Sequence, residues 1–297
     1  MYMPVLNAKA KARELVDIIR EETNAPMAAC IDTVSLILKC LMRDVSSCKD
    51  LLHIKTALDH EDIIDVEQCY DAGVIHKSIM IISSIIDDKK QQKWSLEGDN
   101  QLVECLQTFS SVLDNTDKRI SINQLSKSDY EFIEKLVLLY QIEQNDVIRL
   151  ALINAFLSCC QIEVIKSFRL PVLIIANNRF IHPLSDLEIA AFNLLIDIYS
   201  ITEKIPYFHL EYFTTDFFAK IILLCEHDAK LPVKFLLNFN SHFDDEQNFI
   251  ISALHSNQSL VFGQLLIEEF NSRRNNDCVC STQLAERMKK PLDSLVL

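Results

Sequence analysis

The cysteine and histidine residues that could bind a metal occur as short, isolated pairs. Cys278 and Cys280 are separated by one residue, and so are Cys225 and His227. A structural zinc site needs a cysteine pair joined by a second pair of ligands, and neither pair has such a partner at a suitable spacing. We therefore expect no metal site in this chain.

Catalytic motifs that depend on a fixed spacing of residues are also incomplete. His209 and Glu211 have the H-x-E spacing of the nucleobase deaminases, but no P-C-x-x-C segment follows them. Gly73, Gly98 and Gly263 are the three glycines of the chain. They lie too far apart for the phosphate-binding loops GxxxxGK[ST] and GxGxxG or for the nucleophile elbow G-x-S-x-G. We expect no cofactor and a binding protein rather than an enzyme.

The scarcity of glycine also bears on the elements that would position such residues. Three glycines in 297 residues is far below the usual ~7%. Tight β-hairpins favour Asn-Gly, Asp-Gly or Gly-Gly turns, and the sequence contains none of these pairs. Apolar residues form 49% of the chain and charged residues 24%, the balance of a folded globular protein. The composition predicts an all-α protein.

Helical periodicity of the apolar residues continues along most of the chain. Ser128 with Glu131 and Ser185 with Glu188 have the spacing of capping boxes, and Asn145 is a further N-cap candidate. The pattern predicts helices over 8–22, 25–43, 47–58, 73–88, 99–114, 128–143, 146–160, 186–201, 214–227, 230–240, 245–255 and 258–271.

Two of the predicted helices carry apolar stripes on two faces instead of one, over residues 146–158 and 186–201. A helix covered on two sides is typical of a solenoid, in which each helical layer lies between neighbours. Consensus residues of ankyrin or tetratricopeptide repeats are missing, whereas armadillo and HEAT repeats are degenerate enough to fit. We predict an armadillo/HEAT-like helical-repeat array. The structural alternative is a compact, irregular helical domain.

The charge and hydropathy of the chain limit its partners and its compartment. A formal net charge of −13 repels phosphate backbones, so nucleic acid is not expected as a partner. No apolar run reaches the ~20 residues of a membrane span, and the first residues do not form a signal peptide. The ten cysteines are interpreted as thiols, most of them on apolar helix faces. These features predict a cytoplasmic protein.

An ordered series of segments resembles one known family. The first segments are KWSLEGDNQLVECLQTFSSVLDN (93–115) and LVLLYQIEQNDVIRLALINAFLSCCQIEVI (136–165). They are followed by IPYFHLEY (205–212), LLNFNSHFDDEQNFIISAL (236–254) and LVFGQLLIEEFNSRRNND (260–277). In order and spacing they resemble the leucine-rich domain of WISH/DIP, a family of Nck-interacting, SPIN-type adapters. The resemblance covers roughly residues 92–277.

This resemblance implies an armadillo-like domain that binds the actin-related protein 2/3 complex. It implies further that the chain activates the complex without a preformed filament, seeds linear actin filaments and works at the cytoplasmic actin cytoskeleton. The Src-homology-3 domain and proline-rich linker of the animal members are not visible in the sequence. The alternative is a generic helical-repeat scaffold that binds peptides of other partners.

The resemblance also divides the chain and selects candidate binding residues. We expect an N-terminal helical region at 1–91, the leucine-rich domain at 92–277 and a polar C-terminal tail at 278–297. Within the segment that resembles the family, Tyr207, His209, Glu211 and Tyr212 are the candidates for contact with a partner protein. The alternative for this segment is an inter-helix corner whose aromatic residues pack inside the protein.

Overall fold

The structure is a computed structural model, and every regular element in its described residues is an α-helix or a 3-10 helix. The described residues are 7–45, 48–91, 93, 95–162, 171, 174–175, 178–200, 205, 207–225, 227 and 230–243. The side chains of Glu61, Tyr207, Glu211 and Tyr212 are also outside the described part. The prediction of an all-α protein is confirmed for these residues.

The chain forms two compact units, Met1–Leu139 and Tyr140–Leu297. In the first unit, 3-10 helices at Glu61–Ile63 and Lys127–Tyr130 accompany the α-helices. The α-helices that begin in this unit are α1 (Ala8–Thr23), α2 (Met27–Asp44), α3 (Lys49–Leu58), α4 (Tyr70–Lys90), α5 (Leu96–Asn115), α6 (Lys118–Ser126) and α7 (Glu131–Ile142). The predicted border at 91/92 falls inside this unit, where α4 and α5 pack against each other.

The helix ends of the first unit are defined by short polar side chains. Asn7 caps α1 by accepting a hydrogen bond from the Ala10 amide at 3.1 Å, and Ser95 caps α5 through the Gly98 amide at 3.0 Å. Helix α1 ends at Thr23 and is followed by the C-cap residue Asn24, whose φ of 50° is left-handed. Asparagine adopts this conformation more readily than other non-glycine residues. The left-handed residue that follows α1 is therefore an asparagine rather than a glycine.

The core of the first unit contains a fully buried ion pair. Helix α1 packs on α2, α3 and α4. Arg20 of α1 places Nε 2.9 Å from Oδ1 of Asp71 on α4, and neither side chain is exposed to solvent. Nη1 of Arg20 donates to Oδ1 of Asn24 at 2.7 Å, and the side-chain Nδ2 of Asn24 donates to the Ser111 hydroxyl at 3.2 Å. The pair therefore joins α1 to α4 through the interior.

The described residues of the second unit contain four further α-helices and one 3-10 helix. The α-helices are α8 (Asp146–Cys159), α9 (Asp186–Ile198), α10 (Thr215–Cys225) and α11 (Lys230–Asn240), and the 3-10 helix is Tyr207–Tyr212. Helix α9 packs against both α8 and α11, and α10 packs against α11. Helix α9 covers 186–198 of the predicted 186–201 and buries residues of both predicted apolar stripes, whereas Ile189 of the second stripe is 38% exposed.

Capping follows the sequence signals in two of three places along the chain. Ser185 and Glu188 form the predicted capping box of α9, and Asn145 caps α8. The third signal differs, because Ser128, Asp129 and Tyr130 adopt positive φ and α7 begins only at Glu131. The predicted helices at 245–255 and 258–271 and the predicted tail at 278–297 lie outside the described residues.

Two further observations concern hydropathy and cysteines. Among the described residues, no single helix is long and apolar enough to cross a membrane, and only α1 and α2 pass that test as a pair bent by 119°. Cys30, Cys159, Cys160 and Cys225 are buried, whereas Cys40 is exposed. Burial of the first four agrees with their assignment to apolar helix faces.

Candidate functional site

The segment chosen from the sequence forms a corner between α9 and α10. Residues Tyr207–Tyr212 make a 3-10 helix, and the Phe213 amide donates to the Leu210 carbonyl at 3.2 Å. Thr214 then starts α10, because its hydroxyl accepts a hydrogen bond from the Phe217 amide at 3.2 Å. The local hydrogen bonds thus turn the chain from the 3-10 helix into α10 at 213–214.

His209 is directed into the protein at this corner. The residue is only 1% exposed to solvent. Nδ1 lies 3.5 Å from the Tyr199 hydroxyl, and the two rings meet edge to face with centroids 6.1 Å apart. Burial raises the pKa of Tyr199 well above its usual value of 10.0, so the phenol stays neutral at physiological pH. A neutral phenol can donate a hydrogen bond to Nδ1 of the imidazole when that nitrogen carries no proton.

Behind the corner lies an aromatic cluster centred on Tyr199 and Phe213. Phe213 is 1% exposed, and its ring centroid lies 4.4 Å from Phe239 and 5.5 Å from Phe217. Edge-to-face and offset arrangements of this kind add favourable energy to apolar burial. The cluster as a whole consists of Phe180, Phe192, Tyr199, Phe213, Phe217, Phe218, Phe235, Phe239 and Phe243.

Polar contacts attach α11 to α9 beside this cluster. Nδ2 of Asn238 donates to the Ile196 carbonyl at 3.1 Å. Nε2 of His242 lies 2.9 Å from the Tyr199 carbonyl, a distance at which a protonated Nε2 donates to that oxygen. These contacts satisfy carbonyls near the C-terminal end of α9, where intrahelical partners run out. The corner, α9 and α11 therefore form one packed region of the second unit.

Of the four predicted binding residues, only His209 has a side chain in the described part of the structure. His209 packs against Tyr199 and Phe208, which favours the packing alternative for this residue. Tyr207, Glu211 and Tyr212 lie in the 3-10 helix, and their side chains are outside the described part of the structure. Partner contact by these residues stays a prediction.

The residues weighed for metal binding do not converge in the described part of the chain. There, no group of three or more His, Cys, Asp or Glu residues is arranged to hold a metal ion. Cys225 is buried and its thiol donates to the Ile221 carbonyl at 3.2 Å. His227 is exposed and stacks on His182 with ring centroids 4.9 Å apart. Cys278 and Cys280 lie outside the described residues.

No model of a known protein family matches the chain. The resemblance to the WISH/DIP adapters therefore rests on the ordered segments themselves. Helix α5 lies within the first of these segments, α7 and α8 overlap the second, and the 3-10 helix Tyr207–Tyr212 lies within the third.

The aromatic cluster was not predicted from the sequence, although a signal for part of it was present. Phe235, Phe239 and Phe243 follow one another at intervals of four residues, a spacing that places them on one helix face. Nothing local connects them with Phe213 or Tyr199, which come from other elements. Only tertiary packing brings these rings together.

Proposed function

We propose that the chain is a non-enzymatic, armadillo/HEAT-like binding protein that activates the actin-related protein 2/3 complex without a preformed filament. Its product would be a linear seed filament at the cytoplasmic actin cytoskeleton. The observation that carries this proposal is the ordered resemblance over 92–277. In that stretch, all the regular elements that the structure describes are helical.

The packing in the second unit supports a stacked helical array rather than a fold in which each helix is covered on one face only. Helix α9 buries residues of both predicted stripes, including Leu187 and Leu194 on one and Phe192 and Ile196 on the other. It contacts α8 on the N-terminal side of the sequence and α11 on the C-terminal side. A layer held between its neighbours is the environment that stacked helical repeats provide.

Activation of the complex would proceed by a shift of population and requires no covalent step. A ligand that binds two conformations equally shifts nothing, so the chain must bind the active arrangement more tightly. Moving the complex from 1% to 99% active would require a preference of about 10⁴-fold. A rigid helical surface suits this task, because it loses little conformational entropy on binding.

The direct test measures binding and nucleation separately. We expect the purified chain to bind the purified complex at micromolar or lower concentration and to shorten the lag of actin assembly. Microscopy should show unbranched filaments before branches appear. Reactions that lack either the chain or the complex provide the controls. Binding without acceleration would contradict the activation step, and absence of binding would contradict the proposal as a whole.

A second test concerns the predicted contact residues of the corner. If Glu211 touches the complex, Glu211→Ala should weaken binding by about tenfold, the usual size of a significant interface truncation. Glu104→Ala is the matched control, because Glu104 is an exposed glutamate on α5 within the same resembling stretch. Titration of both variants against the complex gives the comparison. Equal affinities would remove Glu211 from the interface.

The alternative function, a generic helical-repeat scaffold for peptides, makes a different prediction for partners recovered from extract. The net charge of −13 attracts basic proteins of any kind. The proteins recovered from extract must therefore be identified one by one. Enrichment of the seven-subunit nucleator by the immobilised chain supports the proposed function. Enrichment of unrelated peptide-bearing proteins without the nucleator supports the scaffold.

A further inference from the structure

Helix α2 of the first unit carries an apolar stripe on its solvent side. Leu36 is 61% exposed, and Ile37 and Leu41 are exposed as well. At about 100° of rotation per residue, the exposed small and apolar residues of α2 fall within one arc of about 140°, the α2 stripe, which consists of Ala29, Thr33, Leu36, Ile37, Cys40 and Leu41. The residues that α2 buries form a separate stripe of Met27, Cys30, Val34 and Leu38.

The α2 stripe has little polar character. The Thr33 hydroxyl donates to the Ala29 carbonyl at 2.7 Å, so its donor is satisfied within the helix. The charged residue in the same arc, Asp44, is the last residue of α2. No other helix in the described residues exposes three large apolar side chains. Single exposed apolar residues are common on protein surfaces, whereas a contiguous group marks an interaction surface.

The polar side of α2 does not suit a lipid surface. Helices that lie on membranes carry a face rich in lysine and arginine, with aromatic anchors on the apolar face. Helix α2 has no aromatic residue, and its two basic residues are balanced by two acidic ones, Asp32, Lys39, Arg43 and Asp44. The net charge of −13 repels anionic headgroups. The α2 stripe therefore suits a protein surface better than a membrane.

One flank of the α2 stripe carries charges of both signs. Asp32 and Arg43 are 11 positions apart, which is about three helical turns, so they lie on the same flank. Both are exposed, and neither forms an ion pair with a side chain in the described part of the chain. This flank is therefore acidic near the start of α2 and basic near its end.

Such a flank is complementary to a second copy of itself. When two identical helices pack antiparallel about a two-fold axis, each flank faces the same flank of the other helix. An axis that crosses α2 between Ile37 and Leu38 brings Asp32 of each copy level with Arg43 of the other. In the same register, the small side chain of Thr33 lies within one residue of the level of Leu41 of the second copy. Charge and side-chain size both match in this arrangement.

We propose that the α2 stripe is the interface of a symmetric homodimer, in which α2 packs antiparallel against α2 of a second copy and Asp32 of each chain pairs with Arg43 of the other. A contact between two single helices belongs to the small, weak interfaces below ~1,200 Å². We therefore expect a dissociation constant on the order of 10 µM. The dimer is separate from the proposed interaction with the actin nucleator, because α2 precedes residues 92–277.

Sedimentation velocity of the full-length protein tests the association. The experiment spans roughly 1 to 200 µM, on both sides of the expected constant, and includes a reducing agent so that no disulfide links the copies. We expect a monomer at low concentration and a species of twice its mass at high concentration. Leu36→Lys should abolish the dimer, because position 36 lies level with Lys39 of the second copy. Met80→Lys, at a 60% exposed position of α4, is the matched control and should dimerise normally.

Charge reversal tests the antiparallel register. Asp32→Arg and Arg43→Asp should each weaken self-association by about tenfold, because the two-fold axis places each altered contact in the dimer twice. An equimolar mixture of the two variants should associate to within about threefold of the unmutated protein, since both contacts in the mixed dimer again join opposite charges. Glu104→Arg, at an exposed position of α5, is the control for reversal of a surface charge and should have no effect.

Three results would overturn the proposal. The first is a chain that stays monomeric up to roughly 200 µM, well above the expected constant; flotation of that monomer with phosphatidylcholine vesicles would then assign the α2 stripe to lipid. The second is a dimer that Leu36→Lys leaves intact. The third is a dimer that Asp32→Arg and Arg43→Asp do not weaken. All measurements use the chain without the actin nucleator, so none of them tests the proposed function.

Discussion

Replacing Asp71 by alanine is expected to destabilise the first unit by about 3–5 kcal/mol, the cost of leaving a buried charge without its partner. Arg20 and Asp71 are both completely buried. After the substitution, the guanidinium would keep one described side-chain acceptor, Oδ1 of Asn24, while its Nη2 already lacks a hydrogen-bond partner. Chemical denaturation followed by circular dichroism, with hydrogen exchange of the α1 and α4 amides, measures the loss.

An exposed ion pair of the same unit provides the control. Lys9 and Asp62 pair at the surface, with side chains 40% and 73% exposed, so Asp62→Ala should have no measurable effect on unfolding. A double replacement, Arg20→Met with Asp71→Leu, should regain most of the stability, because removal of both charges leaves no unpaired charge inside. If Asp71→Ala were as mild as Asp62→Ala, the Arg20–Asp71 pair would not be buried as described.

Replacing Phe213 by alanine is the second substitution with a large expected effect, a loss of about 3–5 kcal/mol in the second unit. The ring is 1% exposed and lies among aromatic rings of α10, α11 and Tyr199, which follows α9, with centroid distances from 4.4 Å for Phe239 to 6.1 Å for Phe235. These rings cannot all move to fill the cavity, since they belong to different helices. Thermal and chemical unfolding of the variant measure the effect.

Leu223→Ala is the matched control for this truncation. Leu223 lies on α10 and is 52% exposed, so its loss should change stability by no more than about 0.5 kcal/mol. If Phe213→Ala were equally mild, the aromatic cluster would not be the core of the second unit.

Helices with a strong apolar period could be predicted closely from the sequence. Helix α1 ends one residue later than expected, and α8 differs from its predicted range by one residue. Their boundaries are marked by residues with known capping chemistry, such as Asn7 and Asn145. In these places local sequence and tertiary packing agree.

Other boundaries were missed where the cap or backbone conformation was unusual. Helix α4 begins at Tyr70 rather than 73 because the Cys69 thiol accepts a hydrogen bond from the Ala72 amide, and cysteine is not a common N-cap. Helix α6 was not predicted at all. It has nine residues, too few to show a clear period, and it is stabilised by packing on α4.

The candidate sites were harder to predict than the helices. Arg20 and Asp71 are separated by 51 positions, and no sequence rule joins two charged residues across such a distance in a core. The same holds for Asp17 and Tyr70, which are 53 positions apart: the Tyr70 backbone amide donates to Oδ1 of Asp17 at 3.1 Å only because α1 packs beside the start of α4. His209 was found through its place in a family-like segment, for which a packed inter-helix corner was the alternative interpretation, and the burial of this residue agrees with that alternative.

The burial of Arg20 also affects how the folded protein meets a protease. Trypsin cleaves after arginine and needs an extended, accessible chain, whereas Arg20 lies within α1 with its side chain completely shielded. Cleavage at this bond requires α1 to leave α4 and to unwind. When opening is fast relative to cleavage, the rate of cutting reports the population of the opened state. The protein thus carries, near its N-terminus, an intrinsic proteolytic reporter of the integrity of its first unit.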